Sequence, residues 1–144
     1  MSLQTQHLRR TVATLARALE ALPGAVDDEI AFDLYRNAAI KSFELALETA
    51  GKLLRRALKM FGGSPRAVDA LTFNDVLRHA GVHGLLDPEA VERWLRYRAN
   101  RNTTAHDYGE GFANETLKLL PVFAADALAL AGRLQAVFDA HAGD

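Results

Sequence analysis

Residues 43–61 read FELALETAGKLLRRALKMF, and the spacing of their apolar side chains decides the fold. At about 100° per residue, Phe43, Leu47, Ala50, Leu54, Ala57, Leu58 and Phe61 share one face of a helix. Lys52, Arg55, Arg56 and Lys59 form a basic stripe on the opposite side. The helix opens near Asp27-Asp28-Glu29, acids placed where its dipole favours them. It continues to Phe61 and stops at Gly62-Gly63-Ser64-Pro65. Such a helix is long for a small domain, which points to part of its apolar face being covered by another subunit.

The same period recurs on either side. Leu8, Val12, Leu15, Leu19 and Leu22 define a first helix from about Leu3, stopped by Pro23-Gly24. Thr72-Phe-Asn-Asp75 is a capping motif that opens a short helix to about Ala80. Asp87-Pro88-Glu89 opens another, with Asp at the cap and Pro at the first helical position. That helix carries Val91, Trp94 and Leu95 as its apolar stripe. A last helical region begins near Phe112, and Pro121 is expected to kink it or divide it in two, because proline removes a helix hydrogen bond. No strand pattern is convincing. The expected fold is all-α: an antiparallel four-helix up-and-down bundle with a short extra helix between the second and third.

Composition agrees with a single domain over residues 1–144. Hydrophobic residues make up 49% and charged residues 24%, with alanine and leucine dominant, which favours helix. A net charge of −1 offers no global field for nucleic acid or an anionic membrane, so any such contact needs a local patch. Without cysteine there is no disulfide framework, thiol nucleophile or thiolate metal site. MSLQTQHLRR lacks the apolar core of a signal peptide and no run is long enough to span a membrane. A cytoplasmic protein is expected.

Residues 98–110 read RANRNTTAHDYGE. Continuing the stripe of the Trp94 helix places Arg98, Arg101 and Asn102 where a core helix would carry leucine, and inward guanidiniums are costly unless paired or serving a ligand. Arg101 and His106 are about 140° apart on a continuous helix, so they converge only if the helix ends near Thr103-Thr104. Histidine can move a proton near neutral pH. Arginine can clamp a phosphate and stabilise charge developing on it. Phosphodiester cleavage through the RNA 2′-hydroxyl fits such a group, because the substrate supplies the nucleophile and no metal or cofactor is required. The competing reading is a basic helix C-terminus favoured by the dipole.

Arg101-Asn102-Thr103-Thr104-Ala105-His106-Asp107-Tyr108 resembles the R-x4-H-x-Y motif of HEPN domains, and more narrowly the HepT-like, or nucleotidyltransferase substrate-binding, proteins. Phe43-Glu44-Leu45-Ala46-Leu47-Glu48 is similar to the family's F-E-x-A-x-E segment, and Thr72-Phe-Asn-Asp-Val-Leu with Gly84-Leu-Leu-Asp87 to its short-helix region. Trp94 stands before Arg101-Asn102 as the family's W-x(6)-R-N spacing requires. The resemblance covers roughly residues 36 to 121. It implies a homodimer with two copies of the motif lining a cleft, and a small nucleotidyltransferase as partner. In toxin–antitoxin members the HEPN protein is a metal-independent endoribonuclease, silenced when the partner adds AMP to the motif tyrosine, here Tyr108. On that mapping Arg101 binds the phosphate, His106 is the acid or base, and Asn102, Arg98 and Asp107 support the site. The alternative is a non-catalytic module that binds the nucleotidyltransferase.

The remaining candidates favour plainer readings. The Lys52–Lys59 stripe fits a solvated face, with Glu48 pairing Lys52, better than an RNA track. His79 and His83 lack a third metal ligand. Gly109-Glu-Gly-Phe-Ala-Asn lacks the last glycine and the strand of a dinucleotide loop. Trp94 fits a core anchor better than a base-stacking platform.

Overall fold

The computed structural model describes residues 4–104 and 110–142, with the side chains of 102–104 and 110–113 outside that description. Six helices follow one another: α1 (Gln6–Ala21), α2 (Glu29–Met60), α3 (Pro65–Asp69), α4 (Phe73–Val82), α5 (Pro88–Thr104) and α6 (Glu110–His141). A single 3₁₀ turn at Pro23–Ala25 links the first two. Among the described residues there is no strand, so the all-α expectation is met.

Local chemistry sets the boundaries. Asp28 caps α2 by accepting from the Ala31 N–H at 3.1 Å, and Thr72 caps α4 by accepting from the Asp75 N–H at 3.1 Å. Gly62 and Gly84 take positive φ just past the ends of α2 and α4, where a side chain would be strained. Ser64-Pro65 does more than stop α2. It caps and starts α3, a five-residue helix that the spacing of apolar residues did not mark.

Pro121 does not divide the last helix: α6 runs unbroken from Glu110 to His141. Pro121 sits on the exposed side, and its neighbours Leu120 and Phe123 are fully buried, so packing holds the turn that lacks a hydrogen bond. Helix α4 also extends beyond Ala80 to Val82.

Helices α1, α2 and α6 pack on one another, while α5 lies mainly against α4 and α6. The apolar stripe of α2 points inward from Phe43 to Leu58, and only Phe61 escapes burial. There the Phe61 ring stacks on His83, 4.7 Å between centroids. Four aromatic rings close the centre. Phe123 meets Phe43, Trp94 and Tyr97 edge-on at 4.8, 5.4 and 5.1 Å. Trp94 is fully buried, a core anchor as expected, and its indole N–H has no hydrogen-bond partner among the described residues.

Ion pairs fix α5 against α6. Asp87 meets Arg133 and Arg93 meets Asp126, so the two helices run antiparallel. The Arg93 contact is bidentate, at 2.8 and 3.0 Å, and the Tyr97 hydroxyl donates to the same carboxylate at 2.6 Å. Burial alone would raise the Asp126 carboxyl, but bonds from Arg93 and Tyr97 and the Arg93 charge outweigh it and hold it below the usual aspartate value. This seam sets the register of the C-terminal half of α5, and therefore where Arg98 and Arg101 point.

Candidate functional site

A groove of about 370 Å³ lies between α2 and the C-terminal half of α5, closed at one side by the first residue of α4. Arg98 and Arg101 form its α5 wall, Glu44, Glu48 and Lys52 its α2 wall, and the Phe73 ring its flank. Both arginines are half-buried, as the continued apolar stripe predicts. His106, Asp107, Tyr108 and the Asn102 side chain lie outside the described residues, so the structure places only Arg98 and Arg101 of the expected site.

On the groove's α2 wall Gly51 carries no side chain. A Cβ there would stand 2.5 Å from the Phe73 ring, nearer than real carbon contacts come. Phe73 therefore settles onto the bare backbone of α2. The Arg98 guanidinium lies over that ring, 4.7 Å from its centroid, a cation–π contact. Arg98 makes no ion pair with a described carboxylate. Burial first, and the neighbouring Arg101 charge second, lower its pKa from the usual arginine value.

The basic stripe of α2 divides its tasks. Arg55 lines the groove but donates to the Val68 and Leu71 carbonyls at 2.8 and 2.9 Å, satisfying the end of α3. Lys59 pairs with Asp69 at 2.8 Å and Arg56 donates to Gln4 at 2.7 Å. Lys52 is exposed beside Glu48 at 3.6 Å, the surface pair the sequence suggests. The stripe is thus part solvated face and part scaffold.

Two contributors escaped the sequence reading. Phe73 read only as part of a capped helix, and Gly51 drew no comment. A glycine inside a run of strong helix formers was the available signal, since it costs about 1 kcal/mol against alanine unless a neighbour needs the space. His79 and His83 line a separate apolar pocket under α3, and no cluster of three or more metal-binding side chains occurs among the described residues. Nor is any described helix long and apolar enough to cross a membrane.

The groove therefore presents two guanidiniums on one wall and two carboxylates on the other, beside an aromatic ring. A family model described as "Nucleotidyltransferase substrate binding protein like" matches residues 3–136. A "Probable ribonuclease HepT" of Haemophilus influenzae is 33% identical over 72 residues. That match spans 50% of this chain and 48% of the relative. The family model covers nearly the whole chain, and the chain belongs to the nucleotidyltransferase substrate binding protein like family, within the HepT-like group its motif resembles.

Proposed function

We propose that the chain is a HepT-like metal-independent endoribonuclease, the toxin half of a pair whose other member is a small nucleotidyltransferase. The observation that carries this reading is the groove at the motif helix, where Arg98 and Arg101 face Glu44 and Glu48. Guanidiniums beside carboxylates suit a ligand that alternates anionic and hydroxyl groups, as ribose-phosphate does. The similarity to a protein named as a probable ribonuclease points the same way.

In the proposed reaction Arg101 binds the scissile phosphate and stabilises the charge of its transition state. His106 acts as acid or base in the proton transfers. The 2′-hydroxyl loses its proton and attacks phosphorus, while the bond to the 5′-oxygen breaks and that oxygen leaves protonated. The products are a 2′,3′-cyclic phosphate end and a 5′-hydroxyl end. Asn102, Arg98 and Asp107 support the geometry. AMP added to Tyr108, two residues from His106, would place a bulky anion in the cleft, pair with Arg101 and silence the site.

We place this site in a four-helix up-and-down bundle that works as a homodimer. Helix α2 has twice as many residues as α1, 32 against 16, and its first turns leave Ile30 and Leu34 exposed at 75% and 64%. Exposed aliphatic residues one turn apart suit a second subunit. A second reading, a non-catalytic module that binds the nucleotidyltransferase, is favoured by membership of a nucleotidyltransferase substrate binding protein like family.

Expression in cells separates the two. Wild type without its partner should arrest growth, and His106→Ala should be harmless while still folding and forming the same oligomer. A His106→Ala protein as toxic as wild type would overturn the catalytic assignment.

A further inference from the structure

We propose that Arg98 holds a second phosphate of the bound strand, next to the one assigned to Arg101, and that Phe73, seated on Gly51, is the positioning residue that keeps Arg98 there. The inference rests on the reading above only in taking an RNA strand as the ligand; it requires binding, not cleavage.

Three observations converge on Arg98. Its guanidinium is half-buried in the groove and makes no ion pair with any described carboxylate, although Glu44 and Glu48 line the same groove. A desolvated cation without a counter-ion is costly, and a ligand anion removes that cost. Its one described contact is the Phe73 ring at 4.7 Å, which fixes orientation while leaving the N–H donors free for a phosphate. Burial and the nearby Arg101 charge both disfavour its charged form, a balance that a bound anion reverses.

The support beneath it is specific. Thr72 caps α4 and so fixes Phe73 as the first helical residue. Gly51 then leaves room for the ring on α2, where a Cβ would stand 2.5 Å from it. Arg98 and Arg101 are one turn apart, about 5–6 Å between Cβ atoms. With Arg98 drawn toward α4 by the ring, the two guanidiniums present separate contacts along the groove, as neighbouring phosphates of a strand require.

The test is binding of a short fluorescent 2′-O-methyl oligoribonucleotide, which cannot be cleaved through a 2′-hydroxyl, measured by anisotropy over a range of salt. Arg98→Ala should weaken binding about tenfold and lower the slope of log Kd against log salt by about 0.7, one phosphate contact on a single strand. Phe73→Ala should weaken binding, Phe73→Tyr should restore it, and Phe73→Ala should add nothing once Arg98 is alanine. An unchanged salt slope in Arg98→Ala would overturn the inference. So would a Phe73→Ala loss that is as large without Arg98 as with it. If Phe73→Ala does not fold, the salt slope of Arg98→Ala decides alone. Wild type that fails to bind the strand overturns both this inference and the ribonuclease reading. Wild type that binds it yet leaves unmodified RNA intact overturns only the latter.

Discussion

Replacing Tyr97 with phenylalanine removes a single oxygen from the seam between α5 and α6. The hydroxyl donates to Asp126 at 2.6 Å from a side chain that is 2% exposed. A hydrogen bond to a charged acceptor contributes about 1.5–3 kcal/mol. Asp126 keeps both bonds from Arg93, so the lower end, about 1.5 kcal/mol, is expected. At about 2.1 cal/mol/K per residue, 144 residues give an unfolding entropy of about 0.3 kcal/mol/K. The melting temperature should therefore fall by about 5 °C.

The loss should also depend on pH in a defined way. Asp126 titrates below its ordinary value, so its contribution is full above about pH 4 and disappears as pH falls through the lowered folded value. Burial first, then the bond and charge of Asp126, push the Tyr97 phenol above its ordinary value. That contribution is full below about pH 10 and is lost as pH rises through the raised folded value. The difference between wild type and Tyr97→Phe should be greatest on the plateau between and shrink at both ends. Thermal unfolding followed by circular dichroism across that range reads it directly. Equal stability at neutral pH, or a gap that does not shrink as pH falls from about 4 through the acid range, would refute the reasoning.

Two further substitutions probe the groove and its support. Gly51→Ala gains up to about 1 kcal/mol of helix propensity but must displace the Phe73 ring at about 1–3 kcal/mol. Urea unfolding should therefore show a net loss of up to about 2 kcal/mol, while RNA affinity falls because Arg98 loses its ring; unaltered affinity would count against the support role. Arg55→Ala removes a donor from the Val68 and Leu71 carbonyls, of which Val68 keeps the Leu71 N–H, and should cost about 1 kcal/mol by urea unfolding, with faster proteolysis around α3. If Arg55 were only a solvated cation, neither would change.

Helix periodicity was legible wherever burial is one-sided. The Phe43–Leu58 stripe, the start of α2 near Asp28, the Thr72 cap and the start at Pro88 all stand where the sequence puts them. The misreadings came from residues whose local preference loses to packing. Pro121 is tolerated because Leu120 and Phe123 anchor the same turn. Ser64-Pro65 is equally a stop and a start, and only the carbonyls that Arg55 reaches show that a helix follows. Tyr97 lay off the expected stripe of α5, and its burial depends on Asp126, twenty-nine residues away, beyond any local pattern. At the site, inward Arg98 and Arg101 were legible as polar residues in apolar positions. The Gly51–Phe73–Arg98 stack was not, because it joins three helices whose approach no single stretch encodes.

The most direct measurement is cleavage of end-labelled RNA by purified protein carrying unmodified Tyr108, with EDTA present, beside Arg101→Ala and His106→Ala. Cleavage by wild type alone, leaving 2′,3′-cyclic phosphate ends, is the predicted result. Intact RNA after incubation with a folded, unmodified wild type would contradict the ribonuclease account and leave the nucleotidyltransferase-binding module in its place.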